Sequence, residues 1–73
     1  IVYRDKAKSI QISTGNHTMI KVKIYDISGR LLVEKTNIDS NLLTIDEIKG
    51  IADQVLLVTI LTNENRIINK KVF

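Results

Sequence analysis

The chain has 73 residues, 44% of them hydrophobic, with no cysteine, no proline and a formal net charge of +3. This length supports one domain with a thin stability margin, and the lack of cysteine excludes disulfide staples and thiolate metal sites. The eleven Lys and Arg residues are spread along the whole chain instead of being clustered with aromatics between them, which argues against nucleic acid as a partner.

Alternation of apolar and polar residues predicts seven β segments. Ile1 to Arg4 is the first, and Ser9 to Ser13 the second, with Ile10 and Ile12 on one face. After a turn at Gly15-Asn16 comes the clearest strand, Met19 to Ile27, in which Ile20, Val22 and Ile24 alternate with Lys21 and Lys23. Ser28-Gly29 then reverses the chain into Arg30 to Thr36, glycine supplying the positive φ that a tight hairpin needs. Leu42 to Ile45 is the fifth strand, and Asp46-Glu47-Ile48-Lys49-Gly50 reads as a single helical turn, with carboxylates first and a lysine and glycine last. Gln54 to Thr62 is the sixth; its Val55 to Leu61 portion is almost continuously apolar and is expected to be central or covered on both faces. Arg66 to Phe73 is the seventh, where Lys70 and Lys71 suit a sheet margin that resists pairing with foreign strands. Only Tyr3, Tyr25 and Phe73 are aromatic, so the core must be built from Ile, Leu and Val. The fold expected is all-β, an immunoglobulin-like antiparallel sandwich without the cysteine pair and tryptophan of antibody domains.

No apolar run approaches the roughly 18 residues needed to cross a bilayer, so no membrane-spanning segment is expected, and no signal peptide is visible. The chain opens on Ile1 rather than methionine, as expected of a fragment cut from a longer precursor whose export signal lies upstream.

Three pieces in order, the hairpin Val22 through Leu32, the β run from Gln54 and the closing strand Arg66 to Phe73, resemble the C-terminal sorting domain of the Bacteroidetes type IX secretion system. In that family a V-x-(I/V)-(Y/F)-D-(I/V)-x-G-R-L-(L/V) hairpin precedes a β run and a terminal G-x-x-(I/V)-x-K-K-(V/I) strand. The resemblance covers nearly the whole chain. It departs where Asn63-Glu64-Asn65 replaces the glycine that usually opens the last motif, leaving asparagine to visit left-handed backbone. It departs again where Asp53-Gln54-Val55-Leu56-Leu57 replaces a G-(I/V)-Y opening. The resemblance implies an immunoglobulin-like sandwich that directs an upstream cargo domain through the periplasm to the cell surface or the medium. Its implied partners are the outer-membrane translocon, shuttle and sortase components of that system. A sortase-like peptidase would cut near or before Ile1, with release of the cargo or its anchoring on surface lipopolysaccharide.

Asp26, Gly29 and Arg30 have a sufficient structural reading: an aspartate before a turn accepts backbone N–H bonds, glycine meets the backbone geometry, and the arginine pairs with the aspartate. The functional alternative makes the hairpin tip part of the surface read by the secretion apparatus. Lys70 and Lys71, followed by Val72 and Phe73, divide evenly between edge protection and recognition by a partner. His17 is the sole histidine and reads as a turn residue, not a metal ligand. Asn16-His17-Thr18 matches a glycosylation pattern that has no use in a bacterial setting. Asp46, Glu47 and Asp53 read as solvated loop carboxylates, because no nucleophile, pocket or oxyanion donor accompanies them. No catalytic residue, metal or cofactor is therefore expected. The alternative function is a small adhesion or carbohydrate-binding accessory domain, for which the scattered aromatics offer little platform.

Overall fold

Residues 1–5, 9–47 and 55–73 are described by a computed structural model, and the alternating runs fold as strands. They are β1 (Val2–Arg4), β2 (Ile10–Ser13), β3 (Met19–Asp26), β4 (Leu31–Lys35), β5 (Leu42–Ile45), β6 (Leu56–Thr62) and β7 (Ile67–Val72). Each expected strand is present, with ends that differ by at most two residues. The helical turn expected over 46–50 falls largely outside the described residues; Asp46 and Glu47 are not helical.

Two antiparallel sheets result, one ordered β1-β2-β5 and the other β4-β3-β6-β7. They pack as a seven-stranded sandwich. The strand order is that of an immunoglobulin-like domain in which the fourth strand lies beside the third instead of joining the first sheet.

Period-two burial places the core between the sheets. Ile10, Ile12 and Ile45 point inward from the smaller sheet; Val22, Ile24, Leu56, Val58, Ile60 and Val72 meet them from the larger. All of these are at most 3% exposed, and no aromatic joins them. The central position expected of β6 is observed, between β3 and β7. Its inner residues are fully buried, whereas Leu57, Thr59 and Leu61 on its outer face are half-buried.

One expectation fails within β3. Alternation puts Ile20 in phase with the buried Val22 and Ile24, yet it is 37% exposed and Met19 is fully buried in its stead. The register explains the change: Met19 pairs with Thr62 but Lys21 with Leu61, so β3 carries one extra residue opposite β6. Such a bulge flips the alternation on one side of itself. A second bulge lies in β4, where Tyr25 pairs with Leu31 and Ile24 with Val33, leaving Leu32 as the extra residue.

The connection from β4 to β5 ties the two sheets together. Asp39 N–H donates to the Met19 carbonyl at 2.9 Å, Met19 N–H to Ser40 at 2.8 Å, and Thr14 N–H to Asn41 at 3.0 Å. Asn37 and Asp39 take positive φ (55° and 51°) to make these bonds, residue types that tolerate that region best after glycine. Lower down, Asp46 accepts from the buried Ser9 hydroxyl and Glu47 pairs with Lys35, so these two loop carboxylates fasten β5 to β2 and β4.

Candidate recognition surface

Both hairpins of the larger sheet are built alike. In the first, Asp26 N–H donates to the Arg30 carbonyl and Gly29 N–H to the Asp26 carbonyl, each at 3.0 Å, with Gly29 at φ 93°. In the second, Thr62 N–H donates to Arg66 at 2.9 Å and Asn65 N–H to Thr62 at 3.1 Å, with Asn65 at φ 61°. Each is a three-residue loop whose third residue is left-handed, so asparagine does at Asn65 what glycine does at Gly29, as the sequence suggests.

A buried polar side chain organises each loop from its first position. Asp26 Oδ1 accepts the backbone N–H groups of Ser28 (3.0 Å) and Arg30 (2.9 Å) and the Ser28 hydroxyl (2.6 Å), while Arg30 Nε lies 3.2 Å from Oδ2. The Ser28 hydroxyl and then the Arg30 N–H hold the Asp26 carboxyl below the usual carboxylate range, against the cost of its desolvation. Thr62, fully buried, accepts from Arg66 N–H through Oγ1 at 3.2 Å. Sequence reasoning missed Thr62 in this role. The signal was present, since Asp26-Ile27-Ser28-Gly29-Arg30 and Thr62-Asn63-Glu64-Asn65-Arg66 share a polar residue, two spacers, a left-handed residue and an arginine.

Register brings the first hairpin and the terminal strand to the same end of one sheet. Asp26 pairs with Leu56, and Leu56 with Val72. Two strand spacings separate the ends of β3 and β7, about 10 Å. Ile27 and Phe73, 75% and 81% exposed, extend past this end, with the exposed Arg30 and Lys71 beside them. Of the residues singled out in sequence, Gly29, Arg30, Lys70, Lys71 and Phe73 are exposed; Asp26 and Val72 are buried and serve packing and turn geometry.

Lys70 and Lys71 face opposite ways. Lys71 pairs with Leu57 on the outer face, and Lys70 with Val58 on the core side. Because β7 has β6 on one side and, among the described residues, no strand on the other, the ammonium of Lys70 reaches solvent past the edge. Its stem borders a hollow of about 370 Å³ at the open seam of the sandwich, between Ile1 and Val2 of the first segment and Ile60 and Ile68 of the larger sheet. The second hairpin lies at the opposite end, where His17 Nδ1 meets Glu64 Oε1 at 2.7 Å and holds that carboxyl below its ordinary range.

A family match extends over residues 1–73. The chain belongs to the DUF8694 family, described as a domain of unknown function. No curated protein matches it. Among the described residues of this family member, no three His, Asp or Glu side chains converge as a metal site would require, and no helix is long and apolar enough to cross a membrane. Asp53 lies outside the described residues. Tyr3 and Tyr25 stand on the outer faces of different sheets, so they form no common platform.

Proposed function

We propose that this domain is a non-catalytic sorting module of the type IX secretion system, carried behind a cargo domain and read at the end of the larger sheet that holds both the β3–β4 hairpin and the end of β7, with β6 between them. The observation that supports this reading is convergence. Two of the three pieces that carry the resemblance, the hairpin and the closing strand, are distant in the chain, yet they reach the same end of one sheet, with β6 between them, and expose Arg30, Lys71 and Phe73 there. A core needs no such exposed arginine, lysine and phenylalanine, whereas a partner that reads a folded signal needs exposed groups at a fixed spacing. The outer edge of β7, unpaired among the described residues, adds a second means of contact, because an extended partner segment can pair with it through main-chain hydrogen bonds.

The partners in this reading are the outer-membrane translocon, its shuttle and the sortase-like peptidase, and the domain is the peptidase's substrate. The cargo passes through the periplasm and ends on the cell surface or in the medium. The test fuses a reporter upstream of the domain in a bacterium that has the secretion system and in a strain lacking the translocon. Surface or medium localisation in the first and periplasmic retention in the second is the expected result. Equal localisation in both strains would remove the proposal.

A further inference from the structure

The outer faces of the two sheets differ in kind. On the smaller sheet Thr44 donates to Gln11 at 2.7 Å and Gln11 to Asp5 at 2.7 Å, a polar ladder suited to water. On the larger sheet the outward positions include Lys21, Lys23 and Tyr25 from β3, Leu57 and Leu61 from β6, and Ile67 from β7. An antiparallel face left to solvent is normally polar. Here apolar pairs lie at both ends of the face, Tyr25 with Leu57 and Leu61 with Ile67, each continued by a lysine, Lys71 beside Leu57 and Lys21 beside Leu61, and the middle row, Lys23, Thr59 and Asn69, is polar throughout. Two hollows of about 360 and 230 Å³ open on this face on either side of Tyr25 and Thr59.

Charge on the face is predominantly positive. Lys21, Lys23 and Lys71 surround the apolar pairs, and the carboxylate among them, Glu34, lies 3.8 Å from Lys23. Among the described residues, Lys21 and Lys71 have no ion-pair partner. We infer that the outer face of the four-stranded sheet docks an acidic protein segment that carries apolar anchors. The anchors occupy the two hollows, about 13 Å apart from Leu57 to Leu61 along the strand, and acidic side chains between and around them meet the lysines. Single-stranded nucleic acid fits less well, because it is held by stacked aromatics and this face offers Tyr25 with aliphatic neighbours. The inference stands apart from the sorting proposal, and its test requires no secretion machinery.

The probe is a synthetic peptide of alternating glutamate and leucine, titrated at neutral pH into the isotopically labelled 73-residue chain while amide shifts are recorded. The expected shifts cluster on Lys21, Lys23, Tyr25, Leu57, Leu61 and Ile67 and leave the smaller sheet unmoved. Lys21→Glu and, separately, Ile67→Ser should each weaken binding tenfold or more with an unchanged unfolding midpoint, since both positions lie outside the core. Replacing the peptide's glutamates with lysines should abolish the shifts. The inference is overturned if no shifts occur, if they map to the outer edge of β7 or to the smaller sheet, or if heparin or oligothymidine moves the same residues at equal or lower concentration. That last result would mark a site for polyanions, not for an acidic protein.

Discussion

Gly29 sits at φ 93° with nothing within 4 Å of where a Cβ would be. Space is therefore no obstacle there, and any cost of a side chain is backbone strain. Gly29→Val should lose about 1–2 kcal/mol in urea unfolding, and Gly29→Asn distinctly less, because asparagine tolerates left-handed backbone. Equal losses would show that the loop adapts and that φ is not what selects glycine. The turn chemistry of Asp26, Gly29 and Arg30 was legible in the sequence because it is local. The exposure of Ile20 was hidden for the opposite reason: an inserted residue is defined by what pairs across from it, and that partner, Thr62 to Leu61, lies some forty positions away. Thr62 was hidden similarly, since a threonine ending a β run is unremarkable until its burial and its bond to Arg66 are seen.

Among the elements, β3 and β6 form the centre of the larger sheet. Ile24 is fully buried there, opposite Val58 of β6 and Val33 of β4. Ile24→Ala should cost roughly 2–5 kcal/mol through lost burial and a residual cavity, a large part of the total for so small a domain. Ile20→Ala should cost far less, because the bulge puts that side chain at the surface; if the two matched, the bulge would be in the wrong place. All strands were readable from alternation, including the central position of β6. The reason for its continuous apolar run was not, since only the paired strands show that Leu57 and Leu61 join Tyr25 and Ile67 on an outer face. The lysines were likewise scattered in sequence and gathered by strand pairing.

For the molecule as a whole, carboxylates act as fasteners. Asp26 is held below its ordinary range chiefly by Ser28, Glu47 by Lys35 and Glu64 by His17. A carboxyl that is lowered on folding contributes stability above its unfolded value and loses it as pH falls through the folded one. Stability should therefore decline from about pH 4 downward, and Asp26→Asn should show a shallower decline there. An identical acid profile in that variant would mean that the Asp26 carboxylate gives no net stabilisation.

The sorting proposal depends on a folded domain whose exposed sheet end is read by a partner, and Lys70 and Lys71 separate folding from reading. Both are exposed on an edge strand, so replacing the pair with alanine should leave stability within about 0.5 kcal/mol, as surface changes usually do. The decisive measurement is the location of a reporter fused upstream of this double variant, in a bacterium that exports the unaltered fusion. The account predicts a reporter retained in the periplasm behind a domain that unfolds at the same urea concentration as the unaltered one. Normal export of the double variant would contradict it.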